Sequence, residues 1–165
     1  MSAYAFRPAT EGDLALLRRW LETAEARRWW GDPDEQIALL AEDLDELRMA
    51  MWIVSHEAKP FAYIQDYDPL AWGLHHFGDL PPGSRGIDQF IGVPAMIGRG
   101  HGSAFIRAHA DRLFAGGAPV VGTDPDPTNA RAIRAYERAG FAPLREALDW
   151  EGEPTLLMLR HAPAS

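Results

Sequence analysis

Runs rich in β-branched and aromatic residues predict seven strands along the chain. In the central one, Ile87, Gln89 and Ile91 alternate with Asp88, Phe90 and Gly92. Pro94 cannot donate to an interior ladder, so we expect this strand to end near Val93. The second and third strands are joined by five residues and predict a hairpin. The seven predicted strands cover 4–7, 49–55, 61–67, 87–93, 119–123, 141–150 and 155–160.

Apolar residues three or four positions apart predict four helices. The first follows a weakened capping box of Thr10 and Asp13. The second has Asp32 as its cap and Pro33 at its first position, and its apolar stripe runs to Leu47. Its acidic face is interpreted as a solvated surface, with a fringe that attracts a polycation as the alternative. The third helix ends near residue 115 and the fourth covers 129–139.

Composition narrows the class of protein. The chain has 165 residues, 47% of them hydrophobic, and we expect one α/β or α+β domain over residues 1–165. The net charge of −8 opposes binding to nucleic acid and favours a cationic partner. The absence of cysteine excludes disulfides, thiolate catalysis and Cys-ligated zinc. Since no segment has the pattern of a signal peptide or a membrane span, we expect a cytoplasmic protein with no membrane partner.

A glycine-rich turn precedes the third helix, with Gly98, Gly100 and Gly102 alternating with bulkier residues. Without Cβ atoms, such a turn brings several backbone N–H groups close to an anion, and the start of the following helix favours negative charge. The turn lacks the Lys-Ser/Thr of a P-loop and the G-x-G-x-x-G spacing of dinucleotide-binding folds. We interpret it as a seat for a diphosphate, with a flexible surface connection as the alternative.

A second pattern lies downstream, where Asn129 opens the fourth helix, Tyr136 lies on it and Gly140-Phe141 end it. A glycine loop followed by this pattern resembles the acetyl-CoA site of the GNAT acyl-CoA N-acyltransferases. Within that superfamily the chain is most similar to the aminoglycoside 6'-N-acetyltransferases, over roughly residues 7–141. The matching motifs are WWG at 29–31, RGIDQ at 85–89, IGRGHG at 97–102 and TDPDPTNARAIRAYERAGF at 123–141.

The resemblance implies a GNAT fold, a mixed sheet with a splayed central strand pair, and acetyl-CoA as cosubstrate. The interruption at Gly92-Val93-Pro94 would splay the strands and turn backbone N–H groups towards the pantetheine. Many GNAT members carry Gln or Arg where this chain has Ile97, so backbone groups must contribute more to the diphosphate seat. The expected acetyl-CoA contacts are Ile91, Gly92, Val93, Gly98, Arg99, Gly100, His101, Gly102, Ser103, Asn129 and Ala132.

Acetyl transfer to an amine needs a base and an acid, for which Asp88 and Tyr136 are the candidates. By resemblance, Asp88 takes the substrate ammonium proton directly or through water. On reference pKa values of about 4 and about 10, a carboxylate is a poor base for an ammonium. Either an apolar surround raises its pKa or it mainly orients the amine. Tyr136, with a phenol near pKa 10, would protonate the thiolate, and a core aromatic is the alternative interpretation.

Acceptor binding is expected from Trp29, Asp88 and Asp124. Trp29 and Trp30 would line a sugar-binding wall or belong to the core, and both interpretations stay open. By resemblance, Asp124 binds a cationic substrate group, whereas a turn role is preferred for Asp126. The loop 68–83 would set acceptor specificity, and its His75-His76 pair is expected to be solvated, with a role in shaping the cleft as the alternative. The imidazole of His101 is expected to face solvent, and no histidine spacing predicts a metal site.

The sequence therefore predicts an acetyltransferase that acts on a primary amine of a small cationic acceptor, most like the 6'-amine of an aminoglycoside. Transfer would be direct, in a ternary complex, because no cysteine nucleophile exists. One alternative is an acetyltransferase of an N-hydroxylysine-type amine in siderophore assembly. Another is a non-catalytic acyl-CoA-binding module. A monomer or a homodimer is expected.

Overall fold

The predicted strands form one mixed sheet in a computed structural model, which describes residues 3–72 and 76–164. The sheet has seven strands in the order β1-β2-β3-β4-β5-β7-β6. The strands are β1 (Tyr4–Pro8), β2 (Met49–His56), β3 (Lys59–Tyr67), β4 (Arg85–Ile91), β5 (Val120–Thr123), β6 (Ala142–Leu148) and β7 (Pro154–His161). The expectation of a mixed α/β sheet is confirmed.

Five α-helices lie between the strands in the described part of the chain. They are α1 (Leu14–Leu21), α2 (Ala24–Trp30), α3 (Pro33–Asp43), α4 (His101–Ala115) and α5 (Ala130–Arg138). None of the helices of the described ranges has the length and apolar character that crossing a bilayer requires. Short 3₁₀ turns precede α1 and follow β4, at Glu11–Asp13 and Pro94–Met96.

The chain divides into two compact units. The first unit comprises Met1–Asp66 and Gln89–His101, and the second comprises Tyr67–Asp88 and Gly102–Ser165. That residues 1–165 form a single domain stays a prediction.

The core of the first unit is built where α1 packs against α3 and the sheet. The apolar face of α1 is fully buried there because its leucines and Trp20 recur at helical spacing. The cluster consists of Leu17, Trp20, Leu21, Leu40, Met51, Ile53, Tyr63 and Phe90. Burial of these large side chains removes apolar surface from water, which is the main stabilising contribution to such a unit.

At Gly92 the backbone lies directly against the indole ring of Trp20 in this core. A Cβ atom at this position would lie 2.1 Å from ring atoms of Trp20, so the indole occupies the space that any side chain would need. The Gly92 N–H also donates to the Phe61 carbonyl at 2.8 Å. A residue without a side chain is therefore required where β4 has just ended.

In the second unit, β5 connects parallel and antiparallel parts of the sheet. It pairs parallel with β4 at two positions only, Arg85 with Val121 and Gly86 with Gly122. On its other side β5 pairs antiparallel with β7, and β7 pairs antiparallel with the edge strand β6. The expected closing pair is confirmed. The ladder between β4 and β5 stops at Gly86, earlier than the predicted interruption at Gly92.

Three local features differ from the sequence prediction. Residues 24–30 form a separate helix, α2, which the sequence analysis did not predict. Helix α3 ends at Asp43, so its predicted stripe is too long and Leu47 is 99% exposed. The hairpin between β2 and β3 turns at Glu57 and Ala58, both with positive φ. Residues other than glycine adopt that conformation at some cost, so the strand pairing must hold it.

The predicted capping box before α1 is confirmed and is reinforced by an ion pair. The Asp13 carboxylate accepts the Thr10 N–H at 2.9 Å and both guanidinium nitrogens of Arg7 at 2.7 and 2.8 Å. Hydrogen bonds from Arg7 lower the pKa of Asp13 to about 2, against the opposing effect of burial.

Gly92→Ala should destabilise the protein by about 1 to 3 kcal/mol, because the new methyl group overlaps the Trp20 ring. Urea unfolding measures the change. Gly12→Ala is the matched control, since its Cβ would lie at an ordinary 3.6 Å from the Thr10 hydroxyl. Equal stability of the two variants would contradict the packing described for Trp20.

Asp13→Asn should lower the free energy of unfolding by about 1 to 2 kcal/mol at pH 7. The folded-state pKa of Asp13 is below the unfolded value of about 4, so the stabilisation is present above pH 4 and is lost as the pH falls towards 2. Unfolding curves at several pH values should therefore converge for the two proteins at low pH. Glu46→Gln removes an exposed ion pair with Arg48 and should have a smaller effect, whereas an equal effect would contradict the role of burial at Asp13.

Candidate active site

The glycine turn of the first unit is open and is shaped by backbone conformation. Gly98 and Gly100 have φ values of 76° and 84°, which residues with a side chain rarely adopt. A Cβ atom at either position would meet no other atom within 4 Å. Packed side chains therefore do not fill the turn at these two glycines, and Arg99 between them is exposed.

Helix α4 begins directly after this turn, at His101, with Gly102 and Ser103 in its first turn. The first N–H groups of a helix have no acceptor inside the helix, and the helix dipole places partial positive charge there. An anion near such a helix start is stabilised by both effects. The geometry suits the predicted diphosphate seat.

The predicted splay residues lie at the end of β4. Ile91 is the last strand residue, and Val93 is extended before the 3₁₀ turn that begins at Pro94. The Gly92 N–H is bonded to Phe61 in β3. The Gly92 amide is thus committed to the sheet, although it was expected to turn towards the pantetheine.

The expectation of a solvent-facing His101 is wrong. Its Nδ1 lies 2.8 Å from the Tyr4 hydroxyl, and its ring centroid is 4.8 Å from that of His56 and 5.5 Å from that of Phe61. Burial lowers the pKa of His101, and the neighbouring His56 and Arg99 lower it further, while Glu57 acts in the opposite direction. The first residue of α4 is therefore anchored to strand β1.

The two tryptophans at the end of α2 differ in their surroundings. Trp30 packs edge-on against Tyr63 and Phe90, at centroid distances of 6.2 and 5.0 Å, so the core interpretation holds for Trp30. Trp29 is half-buried, donates from Nε1 to the Glu25 carboxylate at 3.1 Å and lies under the Arg28 guanidinium. Its role in acceptor binding stays a prediction.

In the second unit, a buried phenol lies among the predicted catalytic groups. Burial raises the pKa of Tyr67 well above its usual value, and Asp88, Asp124 and Tyr136 raise it further. The ring of Tyr67 lies against Gly86, where a Cβ atom would be 2.4 Å from the ring and 2.7 Å from its hydroxyl.

His76 and Asp124 form a hydrogen-bonded pair in the same unit. His76 Nε2 lies 2.7 Å from Asp124 Oδ2, and the two side chains are only 6% and 16% exposed. A solvated His76 was expected, and that expectation is wrong. Its predicted neighbour His75 lies outside the described residues.

The loop between β5 and α5 is fixed by its own polar side chains. Asp126 accepts from the N–H and the hydroxyl of Thr128, at 2.8 and 2.7 Å, which confirms a turn role. The Asn129 side chain accepts the Ala132 N–H at 3.2 Å and caps α5 as expected. The Ala132 amide is thus engaged in the cap, although a contact with acetyl-CoA was expected of this residue.

The core interpretation holds for Tyr136, and its role as the acid stays a prediction. Its ring is 4% exposed and packs edge-on against Phe141 at 5.6 Å, which is typical of a core aromatic. It also acts on the buried Tyr67. A phenol held by packing in this way keeps its hydroxyl in a defined position.

Asp88, Asp124 and Tyr136 all belong to the second unit, whereas Trp29 and Gly98 belong to the first unit. Sequence analysis missed Tyr67 and placed His76 in solvent. Tyr67 ends a strand of buried residues, and its phenol at the end of such a run was the one available signal of a buried polar group. In the described residues no group of three or more acidic or histidine side chains is arranged to hold a metal ion.

Comparison with known proteins gives a consistent result. The family model of the acetyltransferase (GNAT) domain matches residues 9–148. An aminoglycoside N(6')-acetyltransferase type 1 of Klebsiella pneumoniae is 35% identical over 144 residues, which is 82% of this chain and 72% of that protein. A kanamycin resistance protein of Rhizobium radiobacter is 46% identical over 64 residues, covering 38% of this chain and 59% of that protein.

Solved structures resemble the chain over almost its whole length. The aminoglycoside acetyltransferase AAC(6')-Ib in complex with ribostamycin and coenzyme A has a TM-score of 0.87 at 31% identity, with 97% of this chain and 94% of that chain covered. The complex of the same enzyme with paromomycin and acetyl-CoA has a TM-score of 0.83 at 32% identity, with the same coverage.

Asn129→Ala should reduce the free energy of unfolding by about 1 kcal/mol, since α5 loses its capping acceptor. Urea unfolding without any coenzyme isolates this effect from ligand binding. Asn129→Ser keeps a capping oxygen and should retain most of the stability. If the alanine and serine variants unfold alike, the cap contributes nothing.

Proposed function

The chain belongs to the GNAT acetyltransferase family, and we propose that it transfers the acetyl group of acetyl-CoA to the 6'-amine of an aminoglycoside. The proposal draws on relatives that carry this activity in their names and on solved complexes that contain aminoglycosides with coenzyme A or acetyl-CoA. A monomeric or homodimeric state and a cytoplasmic location stay predictions.

The observation that carries the proposal is the hydrogen-bonded and largely buried carboxylate of Asp124, which belongs to the second unit together with Asp88 and Tyr136. Carboxylates attract a cationic amine, and the chain as a whole is acidic, with a net charge of −8. Tyr136 adds a proton donor in the same unit. A base, an acid and a cation-binding carboxylate are the groups that transfer to an amine requires.

Acetyl-CoA would be held by backbone groups at the end of β4 and around the glycine turn. The open turn at Gly98 and Gly100 and the start of α4 suit the diphosphate, because backbone N–H groups and the helix dipole both stabilise negative charge. Ile91 and Val93 would contact the pantetheine. Because this chain has Ile97 where many GNAT members carry Gln or Arg, the diphosphate seat depends on backbone N–H groups.

The reaction follows from these assignments. Asp88 accepts a proton from the acceptor ammonium, directly or through water, and the neutral nitrogen attacks the thioester carbon. The carbon–sulfur bond then breaks, and Tyr136 gives its proton to the thiolate, whose parent thiol has a pKa of about 8.5. No covalent enzyme intermediate is needed, in keeping with the absence of cysteine.

Wild-type protein should release coenzyme A from acetyl-CoA in the presence of an aminoglycoside with a 6'-amine, and release should stop with the analogue that carries a 6'-hydroxyl. Asp88→Asn and Tyr136→Phe should each reduce turnover by at least about a hundredfold. Calorimetry should show nearly unchanged affinity for acetyl-CoA in both variants. The assay follows thiol release spectrophotometrically.

Tyr136→Phe keeps the ring contact with Phe141, so a loss of turnover in this variant reports on the hydroxyl. Unchanged turnover in both variants would refute the assigned acid and base. If coenzyme A is released with hydroxylysine or polyamines but not with aminoglycosides, the proposed acceptor is wrong and the proposed reaction chemistry stands. Binding of acetyl-CoA with no release for any amine would identify a non-catalytic acyl-CoA-binding module.

A further inference from the structure

The pair of His76 and Asp124 joins two segments that are 48 residues apart in sequence. Its nitrogen-to-oxygen distance of 2.7 Å is short for such a bond, and both side chains are largely withdrawn from water. Charge-assisted bonds with this length and burial are among the stronger polar contacts in proteins. The pair therefore fixes the Asp124 side chain far more firmly than an exposed ion pair would.

The proton of this bond belongs to the imidazole. An ionised carboxylate only accepts, so His76 Nε2 carries the hydrogen and donates it to Oδ2. A carboxylate has about four acceptor positions, so the bond to His76 leaves capacity for a further donor. Because the Asp124 side chain is still 16% exposed, a donor group of a ligand can reach its remaining acceptor positions.

His76 is itself held in position by its neighbours. The ring of Phe77 lies 4.8 Å from the His76 ring and is buried against Gly122, where a Cβ atom would lie 3.0 Å from Phe77. The His76 carbonyl accepts from Arg145 at 3.5 Å, and Arg145 also pairs with Asp79 at 3.7 Å. The imidazole is thus presented to Asp124 from a segment that is anchored to β5 and β6.

We propose that His76 is a positioning residue that orients the Asp124 carboxylate towards a cationic group of the acceptor. This inference rests on the proposed function, because it assumes an acceptor with an ammonium group in addition to the reacting amine. Asp124 touches the acceptor, and His76 acts through Asp124. The loop that carries His76 thereby contributes to acceptor affinity without contacting the acceptor itself.

Steady-state kinetics of His76→Phe and His76→Gln test this role. The phenyl ring fills the space of the imidazole but cannot donate, so the acceptor KM should rise about tenfold. The glutamine amide can place a donor near the position of Nε2 and should restore a KM close to that of the wild type. The turnover number and the KM for acetyl-CoA should change less than twofold in both variants.

A double-mutant cycle separates orientation of Asp124 from loosening of the loop. In an Asp124→Asn background, His76→Phe should add no further increase in acceptor KM, because its effect requires the carboxylate. Arg145→Ala removes the contacts of the segment with β6 and keeps both members of the pair, so it should raise the acceptor KM less than His76→Phe does. An increase with Arg145→Ala as large as with His76→Phe would overturn the proposal, as would a wild-type KM in His76→Phe.

Calorimetric titration with kanamycin, without acetyl-CoA, distinguishes this proposal from the proposed function. If the protein acetylates aminoglycosides and the wild type and His76→Phe bind kanamycin with the same affinity, only the positioning role is overturned. Suppose instead that the affinity for kanamycin is lost in His76→Phe and restored in His76→Gln, but the protein does not acetylate kanamycin. This result would support the positioning role and reject the proposed acetyl transfer. Wild-type protein that does not bind kanamycin at all would overturn both.

Discussion

The buried ring of Tyr67 constrains the strand β4 that it packs against in the second unit. Burial also raises the pKa of its phenol well above the usual value, and the charges of Asp88, Asp124 and Tyr136 raise it further. Its ring can lie there only because residue 86 is glycine, since a Cβ atom would be 2.4 Å from the ring. The placement of this phenol thus depends on a glycine in the neighbouring strand.

The first unit depends on the same kind of constraint at a different position. The indole of Trp20 occupies the side-chain space of Gly92, which places the end of β4 directly on the apolar core. From this fixed end the chain passes through a 3₁₀ turn into the open glycine turn and the start of α4. Core packing therefore determines the position of a segment whose own glycines make few contacts.

Local patterns predicted the parts of the structure that local physics controls. The strands, the cap at Asn129 and the turn role of Asp126 depend on residues within a few positions of one another, and all three are found. The motif resemblance added Asp88 and Tyr136, which no periodicity identifies. The contact of His76 with Asp124 joins residues 48 positions apart, and no local pattern indicates such a partner. The same reason explains why His101, with its partner in β1, was expected in solvent.

The bond between Tyr4 and His101 links the beginning of the chain to the first residue of α4, 97 positions later. Any alteration of the first strand acts at a residue that supports the helix beside the glycine turn. Loss of coenzyme binding after such an alteration would therefore report on a displaced helix start and not on damage to the turn itself.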